Sequence, residues 1–211
     1  MSRTDAPPAT APKVLDRLRA RGRGFVFVPA DLFDLGSRPA VDQALHRLVV
    51  QGAIRRLCRG IYDFPRTHPR FGALAPSLPD VAQASARSTR SSLLVSGAAA
   101  ANHLGLSTQV PAQLVYLTDG PSRMLRVGTQ TIVFRHASPR RMAGAGSTAG
   151  AVIQTLRHLG RDGIGDDVVA ALRRQLAAKD RRDLRRLVSD GPAWMHSILR
   201  RITEEPGQAA A

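Results

Sequence analysis

Four side chains on one predicted helical face carry the clearest chemistry in this chain: Arg38, Gln43, His46 and Arg47. They lie in Gly36–Pro65, which reads GSRPAVDQALHRLVVQGAIRRLCRGIYDFP. A guanidinium fork binds phosphates or a guanine edge, and an amide matches adenine, so this set suits nucleic acid. Ser37 stands just before them. Arg55, Arg56 and Arg59 follow, placed to touch phosphates or the minor groove from a basic turn. The competing reading is a cationic face that is simply solvated.

Other candidate chemistry is thin. Glu204 and Glu205 are the only glutamates, and both fall at the end of the chain. An acid two residues before a lysine, as metal-dependent nucleases need, is missing: Ala11 precedes Lys13 and Ala177 precedes Lys179. The histidines (His46, His68, His103, His136, His158 and His196) are scattered singly, never at the paired spacing of metal ligands. No catalytic residue, metal site or cofactor is therefore expected. Asp166-Asp167 reads as an N-cap and a first-turn acid favoured by the helix dipole. Gly97, followed by alanines, offers either a phosphate cradle at a helix start or close helix packing. Cys58, beside Arg56 and Arg59, is either a low-pKa thiol or a passive small residue. Arg181, Arg182, Arg185 and Arg186 form a repeated cationic pair, interleaved with Asp180 and Asp183. That run is a solvated face or a site for an acidic partner.

The elements that position the first group follow from local rules. Val41, Leu45, Leu48 and Val49 recur at spacings of three and four, so Arg38–Gln51 is predicted as a helix with one buried stripe. Ser37 is expected to cap it, Pro39 fits its first turn, and Gly52 supplies the stop. Ile54–Leu57 and Ile61–Phe64 read as two strands around Cys58-Arg59-Gly60. Upstream lie a helix over Pro12–Arg21, a short strand over Gly24–Val28 and a short helix over Ala30–Leu35. Helix, strand, helix, turn, helix, strand, basic turn, strand is the order of a winged helix-turn-helix.

Composition agrees with a polyanionic partner. The formal net charge is +15, which favours nucleic acid through counterion release and steering. Only Lys13 and Lys179 are lysines, so part of the arginine content reflects compositional bias. The excess lies in residues 12–64 and 65–150, while 151–211 has mixed signs. A single cysteine excludes an internal disulfide and a thiolate cluster. No apolar run nears the roughly 20 residues that span a bilayer, and Met1–Ala11 lacks a hydrophobic signal core, so a cytoplasmic location is expected.

The SRPAVDQALHRLVVQGAIRRLCRGIYDFP stretch resembles the N-terminal winged helix of AbiEi-type antitoxins from type IV toxin–antitoxin systems. A second match runs from Ser96 to Pro111 (SGAAAANHLGLSTQVP) and on to Leu114–Gly120, and resembles the start of that family's second domain. Together they span roughly residues 12–140. Where many relatives carry an acid after the Ser-Gly pair, this chain has alanines, so no role of that carboxylate carries over. The resemblance implies a DNA-binding antitoxin that represses its own promoter and counteracts a nucleotidyltransferase-like toxin. Arg181, Arg182, Arg185 and Arg186 are then candidates for toxin neutralisation, and a homodimer on DNA is compatible with it. Two alternatives stay open: a stand-alone winged-helix regulator with a ligand-sensing or dimerisation domain, and a nuclease targeted by the winged helix.

The expected fold class is α+β. Residues 1–11 are read as a disordered tail, 12–65 as the winged helix-turn-helix and 66–79 as a proline-rich linker. Residues 80–204 are read as a second α+β domain, with a small sheet and a helical end, and 205–211 as a disordered tail. In that domain Asp80 and Ser96 are expected to cap helices, Gln113–Thr118 to form a strand, and Arg123–Arg135 one or two more. Pro139–Gly150 is expected to be a loop. Helices are predicted over Thr148–Leu159, Asp166–Ala178, Lys179–Ser189 and Trp194–Ile202.

Overall fold

The computed structural model describes residues 10–108 and 113–204. The fold is α+β, in two compact units. The first comprises the described residues through Arg90 with Leu125–Gln130; the second comprises Ser91–Met124 and the described residues from Thr131 onward. Most of the expected terminal tails, and Gln109–Pro111 of the second motif, lie outside the described residues; Thr10 and Ala11 are helical.

The first unit is a winged helix. Helix α1 (Thr10–Arg21) buries Val14 and Leu18 and stops at Gly22, whose φ of +86° suits glycine. Strand β1 (Val26–Phe27) leads into a short 3-10 helix, Pro29–Leu32, within and just before the Ala30–Leu35 stretch expected to be helical. The Asp31 carboxylate accepts the Val28 N–H there and closes the turn locally. Helix α2 (Arg38–Val50) buries Val41, Ala44, Leu45 and Leu48, as its period requires. Strands β2 (Arg55–Cys58) and β3 (Ile61–Asp63) form the wing, and the antiparallel sheet has the order β1-β3-β2. Leu18, Phe27, Leu45 and Ile54 close the core. Each such side chain fully buried stabilises the fold by about 1.5–3 kcal/mol.

Residues 66–79 are more than a linker. They contain an antiparallel hairpin, β4 (Thr67–His68) with β5 (Gly72–Ala73), whose base is closed by Leu74 N–H to Arg66 C=O at 2.8 Å. Helix α3 (Leu78–Thr89) then belongs to the first unit rather than opening the second. It buries Val81 and the small residues Ala82, Ala84, Ser85 and Ala86, and the helix packs against β1 and β3. Arg87 locks it there, donating to the Val26 carbonyl at 3.0 Å and forming an ion pair with Asp31 at 3.0 Å. The cap is Ser77, which accepts the Asp80 N–H; Asp80 was expected in that role. Pro69 lies in the hairpin turn and Pro79 in the first turn of α3.

The second unit holds β6 (Leu93–Val95), α4 (Ala98–His103), β7 (Leu114–Thr118) and, from Thr131 onward, β9 (Gln130–His136), while β8 (Arg123–Val127) has only Arg123 and Met124 in this unit and its remainder in the first. The four-stranded sheet has the order β6-β7-β9-β8, with β6 antiparallel and β9 parallel to β7. Four helices follow: α5 (Thr148–Leu159), α6 (Asp166–Gln175), α7 (Ala178–Arg186) and α8 (His196–Thr203). Leu156, Leu172, Leu184, Met195, Leu199 and Ile202 form their common core. Gly97, not Ser96, is the N-cap of α4. In the glycine-rich segment before α5 the backbones of Gly144 and Gly150 nearly touch: a Cβ on Gly150 would sit 2.2 Å from the Gly144 oxygen. Among the described residues, no helix is long and apolar enough to cross a membrane.

Candidate nucleic-acid interface

Helix α2 turns Arg38, Asp42, Gln43, His46 and Arg47 to solvent, opposite the stripe of Val41, Leu45 and Leu48. This arrangement follows from the apolar period alone. Arg38 is only loosely held by Asp42, 3.9 Å away at i,i+4, with 80% of the Arg38 side chain exposed. Such a pair is worth a few tenths of a kcal/mol, so Arg38 is easily recruited by an anion. Ser37 occupies the N-cap position, yet its hydroxyl makes no cap hydrogen bond. Pro39 removes one of the two N–H groups such a hydroxyl can accept, that of N2; the Ala40 N–H at N3 is not used either. Ser37 contributes through its backbone instead, its carbonyl accepting the Val41 N–H at 2.9 Å.

The wing divides the three arginines expected to act together. Alternation along β2 sends Arg56 outward, and Arg59 sits exposed in the turn with Gly60, whose φ is +76°. Arg55 faces the other way. Its guanidinium binds the buried Asp63 carboxylate, Nε to Oδ1 at 3.0 Å and Nη2 to Oδ2 at 2.6 Å, and also reaches the Leu74 carbonyl at 2.7 Å. The Asp63 hydrogen bonds raise the Arg55 pKa further. This side chain braces the wing and, contrary to expectation, is engaged by Asp63 and Leu74 and not turned outward with Arg56 and Arg59. Cys58 is half-buried beneath the turn; burial raises its thiol pKa, against a smaller opposing effect of Arg56. The low-pKa reading of this thiol does not hold.

A second exposed turn was missed. The β4–β5 hairpin carries Arg70 and Phe71 at its tip, with Phe71 76% exposed and its ring 4.9 Å from that of His68. Its proline content disguised two-residue strands as a linker.

The α7 arginines also separate. Arg181 donates to the Arg173 carbonyl at 3.2 Å and Arg185 to the Thr203 carbonyl at 2.7 Å. They satisfy carbonyls near the C-termini of α6 and α8, where cations are favoured. Arg182 is exposed, and Arg186 holds Asp183 only weakly at 3.8 Å. Another cationic group went unnoticed because it is discontinuous in sequence: Arg157 on α5, with Arg140 and Arg141. Burial lowers the Arg157 pKa, and repulsion from Arg141 and Arg140 lowers it further. Asp166 lies in the first turn of α6 and pairs with Arg201, while Gly165 is the N-cap.

Three histidines have local partners: His68 accepts the Arg70 N–H, and His136 and His196 contact the Gly120 and Gly191 carbonyls. Among the described residues, no group of three or more His, Cys, Asp or Glu side chains is placed to hold a metal ion. Helix α4 has only six residues, and a Cβ on Gly97 would meet nothing closer than His158 Nδ1 at 3.8 Å. Close packing does not require that glycine; its φ of +63° does.

These features define a two-unit α+β protein, a winged helix with a basic exposed face followed by a mixed sheet and helical end. The chain belongs to DUF6088, a family of unknown function, whose model matches residues 13–184. No curated protein matches it. Among solved structures, the Rv2827c protein from Mycobacterium tuberculosis is similar, with 21% sequence identity and a TM-score of 0.45 over 94% of this chain and 78% of that one.

Proposed function

We propose that this protein is a DNA-binding antitoxin of the type IV class, which represses its own promoter through α2 and the wing. The observation that carries the DNA-binding half is the set Arg38, Gln43, His46 and Arg47, all exposed on the one face of α2 opposite its core stripe. A helix of 13 residues fits the major groove, and bidentate side chains there read base edges. Arg56 and Arg59 would add phosphate contacts from the wing, which carry affinity rather than specificity. The antitoxin half rests on the AbiEi-like residues around Ser96–Pro111 and Leu114–Gly120. Under it the second unit counteracts a nucleotidyltransferase-like toxin in the cytoplasm, with no catalysis of its own.

The test has two arms. Full-length protein should shift a fragment of its own promoter, with affinity falling steeply as salt rises. Co-expression with a neighbouring nucleotidyltransferase gene should restore growth. Loss of the shift without loss of rescue would separate the two halves; absence of both would reject the proposal.

A further inference from the structure

We infer that the winged-helix unit contains a second anion site, a phosphate-binding pocket at the end of the sheet away from the wing turn. A cavity of ≈ 260 Å³ opens there, lined by Arg21, Arg23, Arg66, Arg87, Asp80 and Gln83 together with the backbone at Gly24. Its place is fixed by strand register. Val26 pairs with Asp63, while the Arg59-Gly60 turn lies beyond the Cys58–Ile61 pair at the other end of β3.

Four guanidinium groups face one carboxylate in this cavity. Arg87 is neutralised by Asp31. Arg21, Arg23 and Arg66 form no salt bridge among the described residues, so nothing offsets their charge except Asp80. They are nonetheless held in place by uncharged partners. Arg23 lies over the Phe64 ring at 4.9 Å and donates to the Pro65 carbonyl at 3.0 Å. Arg21 lies over Phe25 at 5.6 Å. Arg66 Nε donates to the Arg23 carbonyl at 3.2 Å, and it crosses so close to Gly24 that a Cβ would sit 2.5 Å from it. Each guanidinium carries five N–H donors, and these contacts leave most of them for a ligand. Oriented, un-neutralised forks converging on a cavity are what phosphate recognition uses.

The cavity, at ≈ 260 Å³, has room for a phosphate or pyrophosphate group, and its arginines select for that charge. That group belongs either to a free phosphate ester or to a DNA backbone. The pocket and the wing turn lie at the two ends of β3, a strand of only three residues, so it is binding to promoter DNA, and not position, that distinguishes the two sources.

Calorimetric titration of the full chain with inorganic pyrophosphate at low salt is the first experiment. One saturable site is expected. The Arg21→Gln/Arg66→Gln double variant should weaken it at least tenfold, and Asp80→Asn should tighten it by removing the opposing charge. Arg70→Gln, an exposed arginine of the same unit outside the cavity, should leave it unchanged. A loss in Arg70→Gln equal to that of the double variant would mean diffuse attraction and overturn the pocket. The double variant is then tested on promoter DNA. Unchanged affinity identifies a free ester as the source, whereas weaker binding with a shallower salt dependence identifies the DNA backbone. No pyrophosphate binding, together with unchanged DNA affinity and salt dependence, would overturn the inference, and thermal melting of each variant shows that the fold is intact.

Discussion

The Arg55 guanidinium clasps the Asp63 carboxylate through two hydrogen bonds, of 3.0 and 2.6 Å, while Asp63 is only 1% exposed. The same guanidinium reaches Leu74, so one side chain ties the base of the wing to the end of the following hairpin. Removing one partner of a fully buried pair costs about 3–5 kcal/mol. A third of the Arg55 side chain stays wet, which reduces the expected loss to about 2–4 kcal/mol. Urea unfolding of Arg55→Ala measures it. The salt dependence of DNA binding by the folded variant should match the parent; a slope lower by about one would return Arg55 to the phosphate contacts.

DNA reading should divide between α2 and the wing. Arg47→Ala is expected to cost about 1–3 kcal/mol on the promoter and much less on unrelated DNA, as loss of a base contact does. Arg59→Ala should weaken both alike and lower the salt slope by about one. Gel shifts over a salt series distinguish the two patterns. Unchanged promoter affinity in the Arg47→Ala/Arg59→Ala variant would reject this face as the interface.

Most of this face is legible in the sequence, because a 3.6-residue period with a glycine stop fixes which residues of α2 are buried and which are exposed. The wing is legible as two strands around a Gly turn. The partner of Arg55 is not: Asp63 lies eight residues away on the paired strand, and only strand register brings it opposite. The same limit explains α3. Its Val81, Ala82, Ala84 and Ala86 mark a buried helix but cannot say which sheet receives it. Arg87 and Asp31, 56 residues apart, settle that through an ion pair no local pattern encodes. Strand β6 escaped because three residues are too few for a period.

Cys58 provides a pH-dependent test. Burial raises its thiol pKa, so at pH 7 less thiolate is present than in a free cysteine, whose pKa is about 8.5. Alkylation by iodoacetamide should therefore be slower than for free cysteine, and its rise with pH should be displaced upward. The linked effect on stability has a definite sign. A folded-state pKa above the unfolded value makes the contribution of this group full below the unfolded pKa and lost as pH rises through the folded one. Cys58→Ser should remove that alkaline decline. Rapid alkylation at pH 7 would contradict the burial.

The α7 arginines should have two distinct phenotypes. Arg181 and Arg185 donate to backbone carbonyls of α6 and α8, and such net bonds contribute about 0.5–1.5 kcal/mol each. Arg181→Ala and Arg185→Ala should thus lower the melting temperature, and any loss of growth rescue should follow from that. Arg182 and Arg186 are exposed, and Arg186 is held only by a weak i,i+3 pair; their reversal to glutamate should lower melting only slightly, through the helix dipole and the like charge of Asp183. If a cationic surface on this helix opposes the toxin, Arg182→Glu/Arg186→Glu abolishes rescue in co-expression while circular dichroism and promoter binding stay intact. Full rescue by that variant would remove α7 from the neutralising surface. The test then moves to Arg140 and Arg157, where cations gather with no acidic partner among the described residues and charge reversal can be read in the same assay.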